Sequence, residues 1–205
     1  MTRAFPLLAL VALGACARTA PEIAAPPVAR TWQATITTAD RQRLYKWRDA
    51  FTAGLASARS GGAADKIAAE GALLHPDAAL DGPALPAGDY RCRVVKLGAK
   101  SASLLPFVSY PAFTCRIGAR QPQSFVKLTG SQRPVGEIFA DNDRRLIFLG
   151  TLLLGDESRP LSYGRDQLRD MVGVVERIGP NRWRLVLPYP KFESLTDVIE
   201  LVPAT

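Results

Sequence analysis

The sequence predicts a mostly β, α+β chain: an antiparallel small barrel or half-barrel meander of eight strands, with one or two N-terminal helices packed against it. Three observations carry this. Between positions 89 and 203, apolar segments of strand length alternate with short intervals containing Gly, Pro, Asn and Asp, the pattern of an antiparallel meander. One segment, Leu146 to Leu154, is apolar on both parities, with Leu146, Phe148, Leu152 and Leu154 on one side and Ile147, Leu149 and Leu153 on the other. A strand with one wet face would alternate, so this one is covered on both. Upstream, Leu44, Trp47, Phe51 and Leu55 recur at spacings of three and four, a helical stripe fit to supply that cover.

Taken in order, the chain opens on a targeting segment. Arg3 precedes the apolar run Phe5 to Leu13, which is far shorter than the roughly 20 residues that span a bilayer. Leu13-Gly14-Ala15-Cys16 then resembles the lipobox of bacterial lipoproteins, which implies a signal peptide over 1–15 and lipidation of Cys16 as the first mature residue. Ala17, rather than Asp, follows the cysteine and resembles outer-membrane sorting. The expected location is the bacterial cell envelope, periplasmic side, as an outer-membrane lipoprotein held by its lipid anchor. The Ala- and Pro-rich stretch 16–30 has no helical stripe and reads as a flexible tether.

A helical segment is expected over 31–88. Thr37 or Thr38 suits an N-cap and Asp40 the first turn; the stripe continues through Ala58 and ends near Ser60-Gly61-Gly62. A second, weaker helix is expected from Ala63 to Leu74, with Gly71 against its last turn. His75-Pro76 and the Pro-rich run 81–88 lead to the β domain, 89–205.

Eight strands are expected there, at 89–97, 107–117, 124–129, 134–140, 144–154, 171–178, 182–188 and 196–202. Closing them removes exposed edges. Tyr90, Cys92 and Val94 share an apolar parity, as do Phe113, Cys115 and Ile117, while Arg91, Arg93, Thr114 and Arg116 lie opposite. A hairpin centred between Ser103 and Leu104 brings Cys92 and Cys115 together in the core. In an oxidising compartment they form a disulfide, stabilising by roughly 3 kcal/mol in the chain-entropy model.

Seven stretches carry a family resemblance: Gly88 to Val94, Tyr110 to Cys115, Lys127 to Pro134, Arg145 to Gly150, Arg169 to Gly173, Val175 to Ile178 and Arg182 to Val186. Together they resemble the bacterial domain-of-unknown-function family 4893. The resemblance covers most of the chain after Thr31. It implies a lipoprotein signal, often found in members, and no activity.

The residues exclude several chemistries. The formal charge is +7, but 26 Lys and Arg are interleaved with 19 Asp and Glu. The excess favours anionic partners, yet no basic run or motif marks a nucleic-acid partner. His75 is the only histidine, so no zinc-ligand spacing appears and a Ser-His-Asp triad has one place to draw from. Asp141-Asn142-Asp143 begins like a calcium loop, but Arg144 and Arg145 follow, and a hairpin turn is the simpler reading. No metal or cofactor is expected. Glu137 and Glu176 sit in strands and could point inward, where arginines such as Arg133, Arg145, Arg169, Arg177 and Arg184 would pair them. The polar interruption 155–170 offers Tyr163, Arg165 and Asp166 as a candidate recognition loop.

The expected function is a non-catalytic binding or interaction module of the envelope, whose partner is an envelope protein or a small apolar ligand. A carrier of a small apolar ligand or a periplasmic protease inhibitor on a lipocalin-like barrel is one alternative. A carboxylate-based hydrolase is the other.

Overall fold

The computed structural model describes Met1 and residues 30–204. Cys16, the expected signal after Met1 and all but the last residue of the expected tether lie outside the described residues. Eight strands, β1 (Gly88–Ala99), β2 (Phe107–Ile117), β3 (Gln123–Lys127), β4 (Gln132–Ala140), β5 (Leu146–Leu154), β6 (Asp170–Gly179), β7 (Arg182–Pro188) and β8 (Ser194–Pro203), pair in sequence order. Every pairing is antiparallel, and β8 returns to β1 to close the barrel. The sheet is a full barrel rather than a half-barrel. Its thinnest joint is β2 to β3, where only Cys115, Arg116 and Ile117 find partners.

Alternation divides each strand between an interior and an exterior. Tyr90, Cys92, Cys115, Phe125, Ile138, Phe148, Val175, Trp183, Leu185 and Leu201 fill one half of the barrel. The Phe125 and Phe148 rings meet edge to face, centroids 5.4 Å apart, and Tyr90 meets Trp183 the same way at 6.3 Å. Phe148 has room because Gly136 and Gly150 face each other across β4 and β5. A Cβ on either glycine would come within 2.8 Å of that ring.

The outer face of the barrel is covered by the helical segment in two patches. Helices α1 (Trp32–Thr35) and α2 (Thr38–Tyr45) bring Trp32, Ile36 and Leu44 onto Phe139, Ile147, Leu149, Val172 and Val174. Helix α3 (Trp47–Ser60) lays Phe51, Leu55 and Ala58 on Val95, Leu97, Val186 and Val198. It approaches β1 closely at Gly54, where a Cβ would sit 3.0 Å from that of Leu97. The strand 146–154 is thus covered on both faces, but its outer cover is α1 and α2; α3 lies over β1, β7 and β8.

The expected single helix from Thr37 to Ser60 breaks at Lys46, whose backbone leaves the helical region. The break lets one apolar stripe serve two patches, with Trp47 touching both. Thr37 caps α2, accepting the Asp40 N–H at 3.2 Å. The expected second helix is α4 (Ala64–Ala69) followed by a 3-10 turn, Gly71–Leu74, and Gly71 takes a positive φ of 54° at the junction.

Cys92 and Cys115 form the disulfide, with Cα atoms 5.8 Å apart. They are not opposite each other, however. Cys92 faces Phe113 and Cys115 faces Tyr90, so the bridge runs diagonally across one face. The Leu97–Phe107 pair centres the hairpin nearer to residue 102 than to the midpoint of the two cysteines, and a register shift between Arg93 and Val95 lies between that turn and the bridge. The fifth strand starts at Leu146 rather than 144, because the Asn142 side chain accepts the N–H groups of Arg144 and Arg145 and holds them in the turn.

Candidate functional site at the barrel mouth

Antiparallel alternation gathers four loops, 100–106, 128–131, 155–169 and 189–193, at one end of the barrel. Beneath them the interior is not filled. A cavity of about 200 Å³ opens there, walled by Val94, Phe113, Leu152, Met171, Leu187 and Ile199. Its volume suits a small molecule. Phe148 packs with Phe125, Ile138 and their neighbours in the interior core.

Charged side chains enter this apolar mouth. Lys96 follows Tyr90, Cys92 and Val94 on the inward parity of β1. Its ammonium lies 2.8 Å from Glu193 Oε2 and 3.4 Å from Asp197 Oδ2, and donates to Gln132 Oε1 at 3.2 Å. Burial works against its charge, but Asp197 and Glu193 outweigh it and hold the ammonium above its ordinary pKa. Burial raises Asp197 despite Lys96 and the Ser194 hydroxyl that donates to it.

Lys127 differs. It ends β3 almost fully buried, 3 % exposed. Its Nζ donates to the carbonyls of Thr129 at 2.7 Å and Gln132 at 3.0 Å and stands 3.6 Å from the Phe113 ring centroid. Among the described residues no carboxylate pairs with it. Burial, with repulsion from Arg133 and Lys96, pulls it down to about 8. Two other basic residues of the cavity wall have carboxylate partners, Arg43 with Asp40 and Arg169 with Glu157.

The wall toward α2 is a polar network. Arg43 donates to Asp40, to the Asp170 carbonyl and to the Tyr189 carbonyl. Asp170 accepts the Gly164 N–H at 2.9 Å through Oδ1, while its buried Oδ2 finds no partner among the described residues. Burial raises its pKa.

The expected recognition loop is placed here, but its three residues have separate tasks. The Tyr163 hydroxyl donates to Asp40 at 2.7 Å and accepts the Thr37 N–H at 3.2 Å, bracing the start of α2; burial raises its pKa. Asp166 accepts the Leu168 N–H within its own turn and sits 3.6 Å from Arg169. Arg165 is exposed. His75 is exposed too, and its Nδ1 accepts the Asp77 N–H. Glu137 and Glu176 both point out of the barrel, Glu137 to Arg30 and Glu176 to Arg184. No group of three or more potential metal ligands occurs among the described residues.

Lys96, Lys127 and Asp197 escape a reading that assigns charges to water. The signal was the parity itself: Lys96 continues Tyr90–Cys92–Val94, and Asp197 continues Ile199 and Leu201.

No helix among the described residues is long and apolar enough to cross a membrane. A family model described as a domain of unknown function (DUF4893) matches residues 32–201. No curated protein and no solved structure matches the chain.

Proposed function

The chain belongs to the DUF4893 family, and from that premise, which brings no activity with it, we propose a non-catalytic binding module of the cell envelope whose site is the barrel mouth. The reading takes the protein as lipid-anchored through Cys16 on the periplasmic side, at the outer membrane. Its ligand is a small molecule with an apolar body and one anionic head. The carrying observation is Lys127: a buried ammonium lining a cavity of about 200 Å³ with apolar and charged walls, held by backbone carbonyls and without a carboxylate partner among the described residues. The hydrocarbon would lie against Leu152, Leu187 and Ile199. The head would give Lys127 the counter-charge it lacks, in place of the Phe113 ring.

The size of the cavity favours a short chain over the larger ligands of lipocalin-like carriers, whose pockets run to about 300–1,000 Å³. The pairing of Glu137, Glu176, Asp141 and Glu157 with arginines supports a structural use of those carboxylates. Octanoate, titrated while backbone amide resonances are followed, should shift Lys96, Lys127, Gln132 and Ile199. Neutral 1-octanol should bind at least tenfold more weakly, and Lys127→Met should abolish the difference. Equal binding of acid and alcohol by the unaltered protein would remove the anionic head from the reading. The anchor is tested apart: Cys16→Ser should move the protein from the membrane to the soluble fraction.

A further inference from the structure

The two ends of the barrel differ in what they show to solvent. Nine large apolar side chains are exposed within residues 30–204, and seven belong to the mouth end: Leu104, Leu105, Tyr110, Leu128, Leu161, Leu168 and Phe192. The other two, Tyr45 and Leu80, lie on the helical segment. Leu105 is 72 % exposed and Leu168 64 %. All four mouth loops or their strand tips contribute, so the apolar residues ring the opening rather than mark one loop. Singly scattered apolar residues are ordinary on protein surfaces; a concentration at one end is not.

Charge follows the same division. On the mouth loops the exposed charges Arg159, Arg165 and Lys191 stand against Asp156 alone, and Lys100, whose ammonium donates to the Pro190 carbonyl, adds a cation without a carboxylate partner among the described residues. The remaining acidic residues there are engaged, Glu157 and Asp166 with Arg169 and Glu193 with Lys96. At the opposite end, Arg120 and Arg144 are balanced by Asp81 and Asp143, and Leu80, bridged to Arg177, is the one large apolar side chain exposed there among the described residues.

A ring of apolar tips backed by uncompensated cations has the chemistry of an interfacial contact: side chains entering the acyl boundary while Lys and Arg meet phosphate. We propose that the mouth end of the barrel seats directly on a phospholipid bilayer surface, with Leu105, Leu168 and Phe192 entering the interface. The consequence is that the cavity opens toward the lipid and not toward bulk water. This orientation does not depend on the ligand reading. A stretch of about 14 residues between Cys16 and Arg30 reaches at most about 50 Å when extended, enough to permit either end to face an anchoring membrane, so the anchor does not decide it.

The test uses the full chain with Cys16→Ser, so that an added cysteine is the only free thiol. A polarity-sensitive fluorophore is attached at Leu105→Cys or Phe192→Cys, and separately at Arg120→Cys or Asp143→Cys on the other end. Vesicles of phosphatidylethanolamine and phosphatidylglycerol are added, with and without spin-labelled lipid. The apolar leader alone could bring the chain to vesicles, so the readout is which end is buried. Emission from 105 and 192 should shift to the blue and be quenched by the spin-labelled lipid, while 120 and 143 stay unchanged. Equal responses at both ends, or none at the mouth, would overturn the proposal. In the chain labelled at Phe192→Cys, adding Leu105→Ser should reduce the blue shift and the quenching, and an unchanged response would count against the proposal.

Discussion

Arg184 and Glu176 stand opposite each other on β7 and β6 and meet outside the barrel, with Arg184 Nε donating to Glu176 Oε2 at 2.8 Å and neither side chain reaching solvent. The same guanidinium donates to the carbonyls of Leu73 and His75, at 3.1 and 2.7 Å, and lies 5.0 Å from the Phe51 ring centroid. One side chain therefore ties the 3-10 turn, α3 and two strands together. Burial pulls its pKa down, against the pull of Glu176.

Removing one partner leaves the other buried without its counter-charge. Glu176→Gln or Arg184→Met should each cost about 3–5 kcal/mol, measured by urea unfolding. The double variant Glu176→Leu with Arg184→Met should recover a good part of that loss. A single variant within about 1 kcal/mol of the parent would show that the pair is not what holds the helical segment down.

The disulfide joins cysteines 23 positions apart. Reduction, or paired replacement by serine, should lower unfolding stability by about 3 kcal/mol. The loss should appear in the urea midpoint of the reduced protein. Identical midpoints with and without reductant would contradict a bridge between Cys92 and Cys115.

Lys127 makes stability depend on alkaline pH. In the folded chain it loses its proton near 8, and in the unfolded chain near its ordinary 10.5. Between those values the unfolded state holds more protons, so stability should rise with pH across the window. Below pH 8 both states are charged and the cost of burial stands in full. Lys100, also held down by burial, acts in the same direction. Lys127→Met should therefore flatten the rise without erasing it. Lys96 and Arg133 face Lys127 as like charges, and Glu193 and Asp197 are taken up by Lys96. Affinity for octanoate should be level below about pH 8 and fall above it as the ammonium is lost; a flat affinity from pH 7 to 10 would show that the head does not meet Lys127.

Gly150 leaves space that the Phe148 ring fills. A Cβ there would lie 2.5 Å from the ring and 2.4 Å from the Val135 carbonyl oxygen. Gly150→Ala should destabilise by about 1–3 kcal/mol through overpacking, and pairing it with Phe148→Leu should restore part of the loss. Thermal unfolding of the three variants checks this.

Legibility in the sequence followed periodicity. The two-sided apolarity of 146–154, the inward parity of Tyr90 and Cys92 and the stripe from Leu44 to Ala58 are all repeats of two or 3.6, and each fixed a packing surface. The break at Lys46 was hidden because the stripe runs through it unbroken; only the barrel's curvature separates the patches beneath Leu44 and Phe51. Helix α1 is a single turn, too short for a period to show. Trp32 nonetheless reaches Asp141 with its indole N–H at 2.9 Å, a contact 109 residues away in the chain. The mouth depends on long-range closure, so Lys96, Lys127 and Asp197 become neighbours of one cavity only once β1, β3 and β8 share a cylinder. Tyr163 looked free because its loop is polar; its partners Thr37 and Asp40 lie more than 120 residues upstream.

The seam between β1 and β8 matches Tyr90 with Pro203, and α3 rests partly on β7 and β8. A chain delivered amino end first therefore presents its helices long before their seats arrive. Until β8 emerges, the ring cannot shut, and Phe51 and Leu55 lack their neighbours on β7 and β8. Such late closure favours slow folding and leaves apolar surface open in the nascent chain.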